Sequence, residues 1–376
     1  MQLNKNTKRK LALAIAAAVP VMSARQAFAN NPIAIGDLVV YQVGSSITDT
    51  AQTSSSTLLM GELNPSTTGA TTFVQQWDAT TMTSPLFSGS AGSHGAVALS
   101  DNNTEVTFGG YTTSDPTDAT NSTVRGVGVI NLQGTYSQPA TYTGPGNGDQ
   151  IRSVFSPDGT NFYFGDKAGP YYNGGTTALV AANTRAIKGF GGATYGLTAS
   201  KTSGVSVVEQ MTPATPSNTA VTYTPLTGLI NDNNAVDFYM VSSQNNGVFD
   251  TLYYTDTTAG DIVKYSLISG TWTAKGTDTT PGTTIDGIFA QQVPGGVNLF
   301  YTTSALTANG SQVFEVEDTS GQSGSLTNLT SPTLLYTAPT GDSLRGLVLV
   351  PEPASFGLML IGGSLLALRR RRVPTA

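Results

Sequence analysis

The sequence predicts an all-β fold that closes on itself as a β-propeller of about six blades, and three observations predict it. Between the chain ends, short runs rich in Val, Ile, Tyr, Phe and Thr alternate with Asn-Gly, Asp-Gly and Gly-Gly turns, with no stretch suited to a helix. A strand pair recurs at intervals of about 36 to 59 residues, which brackets the spacing of one four-stranded blade. The last strand, Leu344 to Val350, has the pattern of a first strand but lacks the partners that should follow it.

The repeat runs as follows. Gly95 to Leu99 precedes Val106 to Phe108, and Ile151 to Phe155 precedes Phe162 to Phe164. The unit returns at Ile187 to Phe190, at Val236 to Met240 before Leu252 to Tyr254, and at Ile285 to Ala290 before Leu299 to Tyr301. A further hairpin follows the pairs, clearest where Ile262 to Leu267 turns through Ser269-Gly270 into Trp272. At the start of the body, Leu38 to Val43, Leu58 to Leu63 and Thr72 to Trp77 read as later strands of a blade lacking its first. Joining Leu344 to Val350 to them closes the ring and removes the exposed edges of an open sheet. One turn, Ser156-Pro157-Asp158-Gly159-Thr160, resembles that of the WD40-like, TolB-type propeller repeat.

The ends flank this body with two apolar segments. Lys5, Lys8, Arg9 and Lys10 precede an apolar run from Leu11 to Met22 and then Ala27-Phe28-Ala29, the three parts of a secretory signal peptide. Cleavage by signal peptidase after Ala29, with Ala27 and Ala29 as the small residues, removes residues 1–29 as a signal helix. At the other end Val350, Pro351, Glu352, Pro353, Ala354 and Ser355 precede an apolar stretch, Phe356 to Leu368, and then Arg369, Arg370, Arg371 and Arg372. As a helix that stretch is about 20 Å long, against a hydrocarbon core of about 30 Å, so it is a short transmembrane segment. The four arginines act as a stop-transfer signal and keep that end in the cytoplasm. The proline triplet stays extended, as a protease requires.

This tripartite end, residues 350–376, resembles the PEP-CTERM sorting signal. The resemblance implies an exosortase as partner, a cut at or near Pro351-Glu352-Pro353, and a product at the cell surface or in the extracellular matrix, associated with exopolysaccharide. The chain therefore divides into a signal peptide (1–29), a propeller domain (30–349) and a sorting signal (350–376).

Composition fits export. The absence of cysteine rules out disulfides and thiolate-bound metals, so stability must come from a core. The chain has 18 Lys+Arg and 24 Asp+Glu. Processing removes Lys5, Lys8, Arg9, Lys10, Arg25 and Arg369 to Arg372, with Glu352 among the anions. Nine positive and 23 negative charges remain, a net of −14. Nucleic acid and anionic lipid are therefore not expected as partners.

Candidate chemistry is sparse. His94 is the sole histidine and would have to serve any Ser-His-Asp triad, but a polar residue in a turn before a strand is the simpler reading. The turns Asp101 to Glu105 and Asn231 to Asn234 offer oxygen ligands without the spacing of a calcium loop, so no metal and no cofactor is expected. Glu209, Glu315 and Glu317 could form a carboxylate pair in a propeller centre. The expectation is a non-enzymatic surface or matrix protein that binds polysaccharide. The alternative is a secreted propeller enzyme that acts on glycans through carboxylates.

Overall fold

A computed structural model describes residues 31–44, 56–89, 93–112, 123–145, 150–199, 207–244, 246–279, 284–304, 310–326 and 329–351. Ala27, Ala29, Glu352, Pro353, Ala354, Ser355, Arg369 to Arg372 and the expected terminal helices lie outside them. Among the described residues no helix is long and apolar enough to cross a membrane. The one helical turn among the described residues, Ala79–Thr81, is capped by Asp78, whose carboxylate accepts from the Thr80 amide.

The strands of the described residues pair antiparallel and are arranged as a propeller. The closing blade joins the two ends of the domain in the order Ser343–Leu349, Leu38–Val43, Ser56–Leu63, Gln75–Asp78. The second is built on Ala98–Leu99, Glu105–Tyr111 and Val124–Asn131, with Tyr136–Ser137 and Thr141–Thr143 both on the last of these. A short strand, Phe87–Ser88, bonds to both blades and fuses them into one ten-stranded sheet. The third blade has three strands, Ile151–Phe155, Tyr163–Asp166 and Gly169–Tyr172. Four-stranded sheets follow, beginning at Thr184–Phe190, Ala235–Val241 and Ile285–Val293.

The expected closure is therefore present, with Leu38 opposite Leu349 and Val43 opposite Ser343. The first strand of each expected unit is the innermost strand of a blade. Two expected strands are shorter, and beside each shortened end backbone groups bond across blades. Gly95 to Leu99 narrows to Ala98–Leu99, because the Gly95 and Ala96 amides donate to the Arg152 carbonyl and the Gly95 carbonyl accepts from Gly346. Thr72 to Trp77 begins only at Gln75. The preceding Gly69 and Ala70 amides donate to Leu334 and Leu335 in the sixth blade, and Phe73 stacks on Tyr336 at 4.3 Å.

The apolar core lies between sheets. The largest cluster packs the closing blade, with Leu38, Val40, Met60, Trp77 and Leu347, against Val106 and Phe108 of the second and Phe300 and Leu335 of the sixth. Each of the four ion pairs found among the described residues also straddles a blade boundary. Arg125 meets Asp166 at 3.4 Å, Lys188 meets Asp237 at 2.8 Å, and Lys264 meets Asp318 and Arg345 meets Asp286 at 2.7 Å each. A threonine on a second strand repeats the device. Thr107, Thr255 and Thr302 donate to the backbone oxygens of Val154, Asp286 and Arg345 on the next innermost strand.

Near the axis the strands approach so closely that only glycine fits. A Cβ on Gly346 would fall 2.5 Å from both the Gly95 oxygen and the Val97 nitrogen, and one on Gly287 would fall 2.3 Å from the Arg345 oxygen. These contacts are backbone and have no rotamer with which to yield. Gly346→Ala should cost about 3 kcal/mol, seen as a lower midpoint in denaturant with unchanged slope. Val74→Thr, at the exposed bend before the outer strand Gln75–Asp78, should stay within about 0.5 kcal/mol of the original.

Candidate functional site

Five innermost strands carry a β-bulge, and the bulges turn charged side chains to the axis. Register slips at Arg152 between Ile151 and Ser153, at Arg185 between Thr184 and Ala186, and at Val236 between Ala235 and Asp237. Asp286 and Gly287 together oppose Thr302, and Arg345 and Gly346 together oppose Tyr41. An extra residue bends its strand and redirects the neighbouring side chains. Arg152, Lys188, Asp237, Asp286 and Arg345 are thereby buried where the blades converge.

These charges close the waist of the channel. Lys188 donates to Asp237 and to the Ile288 carbonyl, and Asp237 also accepts from the Ile288 amide. Burial pushes Lys188 down and Asp237 up from their ordinary pKa values, with the ion pair opposing both shifts. Burial likewise raises Asp286, which Arg345 opposes. On one side of this plug lies a void of about 10 Å³, lined by Ser93, His94, Asp237, Asp286 and Arg345.

On the other side the channel opens into a cavity of about 280 Å³. Phe190, Tyr239, Phe249 and Phe289 wall it, with ring centroids 4.3 to 5.4 Å apart between neighbours. Lys188 borders it from the waist, its ammonium 5.5 Å from the Tyr239 ring centre. Asp101 stands at the rim, where burial raises its carboxyl above the usual carboxylate range. It reaches that place over Gly189, since a Cβ there would fall 2.1 Å from Asp101 Oδ1 and 2.3 Å from Phe155 Cζ. Val348 and Pro351 complete the wall from the end of the domain.

The expected candidates fall elsewhere. Glu209, Glu315 and Glu317 lie on third strands, away from the axis, where Glu209 accepts from Thr198 and Glu315 from Asn298. The central carboxylates are Asp237 and Asp286 instead. Asn102 and Asp232 spend side-chain oxygens within their own turns. Among the described residues no group of three or more His, Asp or Glu is placed to hold a metal. Of the sorting motif, Val350 is buried against Asp37 and Pro351 borders the cavity. The channel charges had a signal in the sequence: Ile151-Arg152, Ile187-Lys188, Val236-Asp237, Ile285-Asp286 and Leu344-Arg345 each place a charge directly after an apolar residue in the repeat.

His94 is buried and joins three blades. Its Nδ1 lies 2.5 Å from the Ile151 carbonyl oxygen, which can only accept, so Nδ1 carries the proton and Nε2 accepts from Tyr41 Oη at 2.6 Å. Neither nitrogen meets a carboxylate, so no triad is assembled on it.

No family model and no curated protein matches this chain. Among solved structures it is similar to a putative 6-phosphogluconolactonase from Bacteroides uniformis, at 9% identity and a TM-score of 0.42 over 76% of this chain and 80% of that one. A periplasmic gluconolactonase from Pseudomonas aeruginosa matches at 8% and 0.42, over 84% of this chain and 100% of that one. A protein from Lactobacillus plantarum matches at 9% and 0.44, over 83% and 98%. Likenesses of this order concern chain architecture and carry no argument about chemistry. A non-enzymatic body was expected from the shortage of histidine; that shortage does not exclude carboxylate or lysine chemistry, so the expectation is withdrawn, and two of these propellers are named as lactonases.

Burial lowers the His94 pKa from 6.5 to about 4; the bond to Ile151 opposes the shift, while Arg345, Arg152 and Arg125 add to it. As pH falls below about 6.5 the unfolded chain takes a proton that the folded chain refuses until about pH 4. Stability is therefore lost across that window, by about 3 kcal/mol at most from this group. Asp37, raised to about 6 by burial and by Glu62, works in the opposite direction. Thermal melts of His94→Gln should show a shallower fall from pH 6.5 to 4 than the original protein, with the Asp37 contribution common to both.

Proposed function

We propose that the domain is a hydrolase of sugar-derived esters or lactones, working at the aromatic mouth of the channel. The observation that carries this reading is Lys188 and Asp101 bordering one small aromatic cavity. Its volume is at the low end of the range for ligand pockets, about 300 Å³, and suits a single ring. Aromatic walls match the C–H faces of a sugar, whose hydroxyls then meet Asp101 and the backbone. Of the three N–H donors of Lys188, two are taken by Asp237 and Ile288, which leaves one for the cavity.

The sign of that charge favours one reaction class. Glycosidic cleavage passes through a positively charged, oxocarbenium-like state, which an ammonium opposes. Water attack on a carbonyl places negative charge on oxygen, which the Lys188 N–H stabilises. Asp101, raised above the usual carboxylate range, is a stronger base than an ordinary aspartate and takes the proton from the attacking water. The carbonyl C–O bond to the leaving oxygen then breaks as that oxygen receives the proton.

The reading includes export and sorting. All the described strands lie between Leu38 and Leu349, so cuts after Ala29 and at the Pro351-Glu352-Pro353 triplet remove none of them. The working protein is the released propeller at the cell surface or in the matrix.

Two experiments test these parts separately. Glucono-δ-lactone and an acetylated sugar should be hydrolysed in a pH-stat assay, with p-nitrophenyl glycosides left intact. Asp101→Asn should lower kcat by about 10²- to 10⁴-fold, and activity should fall as pH drops through the raised Asp101 pKa. Absence of lactone and ester hydrolysis, or an unaltered Asp101→Asn variant, overturns the hydrolase reading. In a host carrying an exosortase, alanines at Pro351, Glu352 and Pro353 should leave full-length protein in the inner membrane. Efficient processing of that variant overturns the sorting reading.

A further inference from the structure

We propose that Lys188 is a nucleophile toward carbonyl compounds, and that the aromatic cavity takes a small aldehyde or ketone which the Lys188 amine holds as a Schiff base. The proposal goes beyond the hydrolase reading and does not rest on it, since no step uses Asp101.

Lys188 and Lys264 are each buried beside an aspartate, and the difference between them is geometric. Lys264 directs its three N–H groups at fixed acceptors, Asp318 at 2.7 Å, Ser320 at 2.8 Å and the Gly321 carbonyl at 2.6 Å, so its ammonium is saturated. Lys188 bonds to Asp237 at 2.8 Å and, at a long 3.4 Å, to the Ile288 carbonyl. Its remaining N–H position is the one left for the cavity of about 280 Å³ that it borders.

Asp237 is placed to exchange a proton with that amine. The Phe238 amide fixes its Oδ1 at 2.9 Å and the Ile288 amide its Oδ2 at 3.1 Å, and Oδ1 is the atom that faces Lys188 Nζ. Burial moves the pKa values of Lys188 and Asp237 toward each other, which lowers the cost of the transfer, whereas Asp318 is held below its ordinary value. Desolvated lysines of this kind serve as amine nucleophiles.

The step balances without an oxidant or reductant. Asp237 takes one proton from the ammonium, and rotation about the Cε–Nζ bond turns the freed lone pair to the cavity. The nitrogen adds to the carbonyl carbon, the C=O π electrons pass to oxygen, and that oxygen takes a proton from the nitrogen. Asp237 then returns its proton to the hydroxyl, which leaves as water while the nitrogen lone pair forms the C=N bond. One ammonium and one carbonyl become one protonated imine and one water. The imine keeps the positive charge that the Asp237 carboxylate pairs. Phe190, Tyr239, Phe249 and Phe289 select a carbonyl compound with a flat apolar face, no larger than a single ring.

Reductive trapping reads the proposal directly. The protein is incubated near neutral pH with benzaldehyde and sodium cyanoborohydride, which fixes a protonated imine as N-benzyl-lysine, and the adducts are located by peptide mass mapping. An ordinary lysine, with a pKa of about 10.4, is almost wholly protonated there. Lys188 should therefore be benzylated several-fold faster than the exposed Lys167. Its rate should level off as benzaldehyde fills the cavity, while the Lys167 rate keeps rising in proportion, and Lys264 should stay unmodified. Lys188→Arg, which keeps the charge beside Asp237 but lacks a nucleophilic amine, should lose the fast adduct. Labelling of Lys188 no faster than that of Lys167 overturns the proposal. Equal labelling of Lys188 and Lys264 also overturns it, because both would then react through opening of the protein. The hydrolase reading is judged separately, by the Asp101→Asn assay without aldehyde or reductant.

Discussion

The pairing of Leu38–Val43 with Ser343–Leu349 closes a ring from chain segments some three hundred residues apart, and the rest of the molecule depends on it. Without that ladder the closing blade loses its innermost strand, and with it Arg345 and the glycine seam at the axis. The free edges would offer unpaired backbone groups to other chains. The entropic cost of joining such distant segments grows only slowly with separation, whereas each added strand contributes a full ladder and a buried face. Gln42 reinforces the joint, donating to Asp342 at 2.6 Å and accepting from Tyr336 of the sixth blade at 3.0 Å.

Polar groups then fix how the blades meet. The ion pairs sit at blade boundaries with side chains almost wholly withdrawn from water. Such pairs are poor sources of net stability, because desolvation offsets most of their attraction, but breaking one leaves an uncompensated buried charge. Two are completed by tyrosine: Tyr142 donates to Asp166 at 2.5 Å and Tyr253 to Asp318 at 2.6 Å. Hydrogen bonds from Lys264, Ser320 and Tyr253 outweigh burial at Asp318 and hold its carboxyl below the ordinary value. At Asp237 and Asp286 burial outweighs the pairing and holds each carboxyl above its ordinary value. Lys188, Asp237, Asp286 and Arg345 plug the waist, and among the described residues the cavity at the mouth, where the bulged strands end among aromatic rings, has room for a ligand.

Much of the fold was legible in the sequence. Alternating apolar runs and Gly-rich turns marked the strands, the recurring pair marked the innermost strand of each blade, and the unpartnered Leu344 to Val350 marked the closure. The boundaries that slipped, at Gly95 and at Thr72, did so at or beside residues whose backbone bonds to a different blade, a preference that no local pattern encodes. The choice of Glu209, Glu315 and Glu317 as central carboxylates failed for a related reason. Side-chain direction on a strand alternates, but distance from the axis depends on which strand of the blade carries the residue.

The sequence by itself determined that this chain is built of strands and that the first and last strands of its body belong to one sheet, because those properties reside in local periodicity and composition. Only the tertiary structure decided which residues share the channel. Asp101 meets Lys188 across one cavity because a bulge turns the inner strand and Gly189 leaves space beside it. Pro351 joins the wall because the closing strand happens to end at the mouth. Convergence of this kind arises from the closure of the ring, where residues far apart in sequence are forced to a common axis.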